Sequence, residues 1–118
     1  MSDDLTISVQ DTRGRHAVVQ LTGVMDMDTV TPLDDALTGL IDQSHPHLVL
    51  DVTRVSFCDS TGLNTLLRTL RRTEAAAGSL ALVGASESLR RIMVITGTDT
   101  VLTTYPTVEQ ALEGIPGP

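Results

Sequence analysis

Apolar and polar residues alternate through "LTISVQ" from Leu5, the pattern of a strand with one buried face. The turn sequence "DTRGR", centred on Gly14, leads to "HAVVQLTG", His16 to Gly23, a second β-branched run closed by glycine. Two such runs across a short turn predict a hairpin. The period then changes. In "TPLDDALTGLID", Leu33, Leu37, Leu40 and Ile41 share one face of a helix. Thr31 is its expected N-cap, Pro32 suits the first helical position, and Asp34 completes a weak capping box. Asp34 and Asp35 are expected in the first turn, where the helix dipole favours acids.

"SHPH" breaks the pattern. From Leu48, "LVLDV" is continuously apolar, as a strand covered on both faces is, and "TRVSFC" carries it on to Cys58. A helix is predicted from Ser60 to about Ala76, with Leu63, Leu66, Leu67 and Leu70 at i, i+3, i+4 and i+7 and Asn64, Arg68, Arg71 and Arg72 on its other faces. Gly78 is expected to end it. "SLALVG" reads as a short buried strand. "SESLRRIMVIT" reads as a helix capped by Ser86, with Leu89, Ile92 and Met93 inward. "TVLTTY" predicts a last strand and "TVEQALEGI" a last helix, terminated by "GIPGP". The order is β-β-α-β-α-β-α-β-α over residues 1–118, with no repeat and no linker. It predicts a single α/β domain whose sheet is mostly parallel, with an antiparallel edge from the hairpin.

Composition narrows the function. Hydrophobic residues make up 41% of the 118, enough for a core, but aromatics only 2%, so that core is aliphatic. A net charge of −7 with so few aromatics supplies neither the charge nor the stacking surface for nucleic acid, and anionic lipid would repel it. A basic protein partner suits it better. No apolar run approaches a membrane span, and "MSDDLTISVQ" lacks the features of a secretory leader. A cytoplasmic protein with no membrane partner is expected. The single cysteine, Cys58, forms no internal disulfide.

Several polar groups are candidates for chemistry. Ser60 as a hydrolase nucleophile lacks the glycine two residues before it, and His16, His45 and His47 are expected at the opposite end of a parallel sheet. Cys58 has no CxxC partner and reads as a buried small hydrophobe. His45 and His47 have no nearby third metal ligand, and Asp26 with Asp28 reads as turn chemistry rather than a magnesium site. No GxxxxGK[ST] loop is present for nucleotide binding. Arg68, Arg71, Arg72, Arg90 and Arg91 read as solvated helix faces. No cofactor and no metal are expected.

"FCDSTGL" asks for more than a cap. One N-cap would start the helix. Instead an acid, two hydroxyls and a glycine occupy the junction, and Gly62 costs helix propensity. Its missing side chain would open the helix N-terminus to close approach, and a serine hydroxyl exposed there is well placed for conversion to a phosphate.

At these residues the sequence resembles the anti-sigma factor antagonists, which are STAS domains. "VSFCDSTGLNTLL" looks like the family's apolar strand, D-S-[ST]-G-L motif and leucine-rich helix. "LTGVMDMDTVTPLDDAL" is similar to its G-E-L-D segment and first helix, and "SESLRRIMVITGTDTVLTTYPTVEQAL" to its third helix, last strand and closing helix. Val24 stands where the family has the glutamate, and Asn64 where a small residue often follows G-L. The resemblance implies a STAS fold and a non-enzymatic switch. The unphosphorylated protein would bind an anti-sigma factor that is also a serine kinase of the histidine-kinase ATPase type, freeing a sigma factor. Phosphorylation of Ser60 would end the binding, and a PP2C-type phosphatase would reverse it. Asp26 would contact the kinase near the acceptor, with Asp59, Thr61, Gly62 and Asn64 completing the partner-binding set. Other STAS roles remain as alternatives: a scaffold subunit of a stress-sensing or a lipid-transport complex.

Overall fold

The computed structural model describes residues 4–115. The elements follow the predicted order, with one added turn: β1 (Leu5–Arg13), β2 (His16–Met25), α1 (Val30–Asp42), β3 (His47–Cys58), α2 (Ser60–Ala75), β4 (Ser79–Val83), α3 (Glu87–Thr96), a 3-10 turn (Thr98–Thr100), β5 (Thr103–Tyr105) and α4 (Val108–Glu113). One sheet has the strand order β1-β2-β3-β4-β5. β1 and β2 form the antiparallel hairpin, and the other three junctions are parallel. When strand order follows chain order, crossovers of one hand put successive helices on one face. Accordingly Leu33, Leu37 and Leu40 of α1, Leu63 and Leu66 of α2, and Leu89 and Met93 of α3 pack with Val19, Leu21, Leu48, Leu50 and Leu82 of the sheet. The opposite face carries a smaller cluster, Val18, Val49, Ala81 and Val83 under Ala111 of α4. Because β3 is central, Leu48, Val49 and Leu50 are buried on both sides, which explains their unbroken apolar run.

Several boundaries differ from the expectation. α1 starts at Val30, and its N-cap is Thr29, not Thr31. Thr29 makes no side-chain cap; its hydroxyl instead accepts from Asp26 N–H at 2.9 Å and donates to the Val24 carbonyl at 2.8 Å. This ties the loop down and lets the helix begin earlier. Asp34 and Asp35 therefore lie beyond the first turn, and Asp34 pairs with Arg72 of α2 at 2.6 Å. Pro32 is still tolerated, since the first four helical N–H groups have no intrahelical partner.

Gly78 does not end α2. Ala77 takes the left-handed conformation (φ 59°), Ala77 N–H bonds to the Glu74 carbonyl and Gly78 N–H to the Thr73 carbonyl. A Cβ on Gly78 would lie 2.0 Å from the Pro46 carbonyl oxygen, so glycine is needed there for close approach. The buried face of α2 also differs. Leu67 and Leu70 are only partly buried, whereas Thr65, Thr69 and Thr73 are buried, with their hydroxyls bonded to the carbonyls of Thr61, Thr65 and Leu70. A threonine satisfied in this way packs like valine, which a hydropathy pattern does not register. The last strand is shorter than "TVLTTY", because residues 98–100 turn to bring Leu102 into the core. The end of "GIPGP" lies outside the described residues.

Candidate functional site

β2 and β3 run parallel and stop together, with Met25 paired to Cys58. The segment after each strand is anchored to the other's end: Asp59 N–H donates to the Met25 carbonyl at 3.1 Å. The Asp26 loop and the Asp59–Ser60 junction thus share one pole of the sheet.

Asp26 is half-buried and closes its own turn. Its carboxylate accepts from Asp28 N–H at 2.9 Å, and its carbonyl accepts from Thr29 and Val30 N–H. That geometry holds the loop and leaves Met27 73% exposed at its tip.

Asp59 answers the question of the crowded junction. It, rather than Ser60, is the N-cap of α2: its backbone is extended, and its carboxylate accepts from Gly62 N–H at 3.0 Å. The helix N-terminus therefore already faces an anion. Capping done by Asp59 leaves Ser60 at the first helical position, exposed, and among the described residues no hydrogen bond engages its hydroxyl. Thr61 is half-buried, and its carbonyl accepts the Thr65 hydroxyl at 3.0 Å. Asn64 is exposed one turn below Ser60. Gly62 is buried. A Cβ there would lie 2.8 Å from the Met25 carbonyl oxygen, 2.9 Å from Cys58 Sγ and 3.0 Å from Met25 Cβ. The close approach that its missing side chain permits is made by the ends of β2 and β3 themselves, so Gly62 seats the helix that presents Ser60.

Cys58 is buried, and its thiol is pushed up to about 11, first by burial and then by the charge of Asp59. It is a poor nucleophile at neutral pH. The histidines lie at the other pole, where the parallel strands begin. His16 pairs with His47 in register, His47 Nδ1 lies 2.8 Å from Ser79 Oγ, and His45 Nδ1 lies 2.8 Å from the Gly14 carbonyl. Ser60 thus has no imidazole beside it to act as a general base. Among the described residues no group of three or more His, Cys, Asp or Glu is arranged to hold a metal. Arg72 is held by Asp34 and Arg91 by Glu87, consistent with solvated helix faces. No helix among the described residues is long and apolar enough to cross a membrane.

One side chain was not read as part of the site. Phe57, the only phenylalanine, is 55% exposed at the end of β3, opposite Val24 in β2. Its place inside an apolar run hid this, and strand alternation would put it on the face of buried Val55; the register shift from Gly23–Val55 to Val24–Phe57, with Ser56 as the extra residue, breaks that alternation, and no signal in the sequence shows it.

Residues 8–111 match the family model of the STAS domain. The chain belongs to the STAS-domain family. Its fold, a five-stranded mixed sheet with four helices, is the STAS fold, and the family's D-S-[ST]-G-L motif falls at the β3–α2 junction described above. This STAS domain is 28% identical over 115 residues to the anti-sigma-F factor antagonist RsfB of Mycobacterium tuberculosis, covering 98% of this chain and 93% of RsfB. It superposes with a TM-score of 0.85 on the structure of an anti-sigma factor antagonist from Mycobacterium paratuberculosis, at 32% identity, covering 98% of this chain and 97% of that one. Unphosphorylated SpoIIAA of Bacillus, also an anti-sigma factor antagonist, shares the fold with a TM-score of 0.79 at 24% identity, over 92% of this chain and 94% of that one. The family is a regulatory one.

Proposed function

We propose that this STAS domain is an anti-sigma factor antagonist switched by phosphorylation of Ser60. In its unphosphorylated form it binds an anti-sigma factor that is also a serine kinase of the histidine-kinase ATPase type, and a sigma factor is released. A PP2C-type phosphatase restores the active form. The protein works in the cytoplasm and is the substrate of enzymes, not an enzyme itself. The observation that carries the proposal is the exposed Ser60 hydroxyl, unengaged among the described residues, at the first position of α2 directly after the Asp59 cap, at the same pole of the sheet as the Asp26 loop. The likeness to RsfB and to the Mycobacterium paratuberculosis protein, both anti-sigma factor antagonists, supports the same function.

The switch is local. A phosphate adds about −1.5 to −2 charges. Within the free protein that charge is tolerated, since Ser60 is exposed to solvent and lies at a helix N-terminus. At an interface it must be desolvated next to the Asp59 and Asp26 carboxylates, in space shaped for a hydroxyl. Binding is lost while the fold persists. In this reading Asp26, Asp59, Thr61 and Asn64 contact the partner around the acceptor, and Gly62 seats the helix that presents it.

The test is incubation with ATP and the candidate anti-sigma kinases of the same cell, followed by phosphopeptide mapping. Ser60 is expected to carry the phosphate, Ser60→Ala to bind the kinase yet resist modification, and Ser60→Asp to fold but bind weakly. Phosphate on Thr61 or Ser56, with Ser60→Ala modified normally, overturns the assignment.

A further inference from the structure

The charge of the chain is unevenly spread. From Ser86 to Tyr105, Glu87 and Asp99 stand against Arg90 and Arg91, so this stretch is neutral and the rest of the sequence carries the whole net charge of −7. The same stretch holds Val94, Ile95 and Val101, three of the six large apolar residues that stand exposed among the described residues, at 64%, 76% and 55%. Gly97 turns the chain with φ 76° after α3, and the Thr98 hydroxyl donates to the Met93 carbonyl at 3.3 Å, which folds the 3-10 turn back against the last turn of the helix. Between α3 and β5 this leaves a groove of about 300 Å³, floored by buried Met93 and Leu102 and walled by Arg90, Val94, Asp99 and Thr104. Arg90 and Asp99 are exposed and line the same groove, yet among the described residues neither is in an ion pair. β5 is the last strand of the sheet, but it has three residues and runs into Pro106, which makes it a poor template for another strand. Side chains, not main chain, are what this face offers.

We propose that this face binds a second copy of the chain about a two-fold axis, with Arg90 of each copy against Asp99 of the other and the exposed aliphatic side chains enclosed between them. The occupant follows from charge. A face with one unpaired cation and one unpaired anion complements itself after a half-turn, because residue i then meets j and j meets i. It complements neither an acidic nor a basic partner, each of which would match one of the two groups and oppose the other. The net charge of −7 on each copy does not forbid the contact. The stretch itself is neutral, and exposed charges separated by more than a Debye length, about 8 Å at physiological salt, are largely screened. The aliphatic residues supply the attraction, and the groove gives Ile95 of the second copy a place beside Met93 and Leu102. α3 runs back from the C-terminal end of β4, so its last turn lies away from the pole that carries Ser60. The contact leaves the Ser60 face free and does not depend on Ser60 being a phosphoacceptor.

Sedimentation velocity of the intact protein at physiological salt, from micromolar to near-millimolar concentration, tests this. A reversible monomer–dimer equilibrium that goes no further than the dimer is expected, since a two-fold contact closes on itself. Arg90→Asp or Asp99→Arg alone turns two attractions into two repulsions and should raise the dimer dissociation constant about tenfold, equal to about 1.4 kcal/mol. The double variant, carrying both exchanges, should return it to within about threefold of wild type, the signature of a direct pair. Ile95→Lys should leave a monomer at every concentration. All three positions are exposed, so the far-UV circular dichroism of the variants should match wild type. Ser60→Asp should dimerise as wild type does. A monomer throughout, growth beyond the dimer, a dimer indifferent to Ile95→Lys, or failure of the double exchange to restore association overturns the proposal. Failure of Ser60 to be phosphorylated would overturn the switch alone and leave this result standing.

Discussion

Gly62→Ala sets two local effects against each other. Alanine is the better helix former by about 0.8–1.0 kcal/mol, so propensity alone predicts a more stable protein. The new Cβ, however, falls 2.8 Å from the Met25 carbonyl oxygen and 2.9 Å from Cys58 Sγ. The Met25 contact is to backbone and cannot be relieved by a rotamer change. Relief requires moving the start of α2 away from β2, which strains the Asp59 N–H bond to the same carbonyl. Overpacking of this kind costs roughly 1–3 kcal/mol and a weakened hydrogen bond about 1 kcal/mol. After subtracting the propensity gain, a net loss of about 1–3 kcal/mol is expected. Urea melts of wild type and variant measure it as a drop in midpoint at constant slope. Gly39→Ala is the control. Gly39 also lies inside a helix, but a Cβ there meets nothing within 4 Å, so that variant should gain about 0.5–1 kcal/mol. Because the clash also involves Cys58 Sγ, adding Cys58→Ala to Gly62→Ala should recover part of the loss, a coupling measurable in a double-mutant cycle. A Gly62→Ala protein as stable as wild type, with Gly39→Ala behaving the same way, would refute the close-packing argument.

Cys58→Ala alone should cost about 1–2 kcal/mol and leave kinase binding intact, and iodoacetamide should modify Cys58 slowly until denaturant is added, since burial and Asp59 hold the thiol protonated. Asp26→Asn keeps an oxygen to accept from Asp28 N–H, so stability should stay within about 0.5 kcal/mol while phosphorylation or kinase binding falls; a large stability loss with unaltered binding would make the residue structural. His47 has its pKa lowered by burial, by Arg15 and by His16. Below its ordinary value of 6.5 the unfolded chain takes up a proton that the folded one resists, so stability should fall as pH drops below about 6.5. His47→Asn should flatten that slope in melts at a series of pH values, and an unchanged slope would assign it to other groups.

The alternation in "LTISVQ", the apolar run at "LVLDV" and the leucine spacing of α1 and α2 were enough to order the elements and to make the sheet mostly parallel. Each is a short-range pattern, set by the strand or helix period and by burial on one or two faces. The motif "CDSTG" could likewise be placed at a strand–helix junction, because caps and turns act over three or four residues. What lay beyond the local pattern was decided in three dimensions. Thr29, not Thr31, begins α1 because its hydroxyl reaches the Val24 carbonyl. Thr65, Thr69 and Thr73 line a buried face because their hydroxyls bond to their own helix, a property hydropathy does not carry. Gly62 is explained by backbone and sulfur atoms of two strand ends that only the sheet brings beside it. Phe57 is exposed although Val55, two residues before it, is buried, because the pairing of β3 with β2 shifts register between them, a bulge set by a strand more than thirty residues away in the chain. Sequence determines which residues suit a strand, a cap or a turn; which atoms surround them depends on contacts between distant segments, and those form only when the sheet and helices pack together.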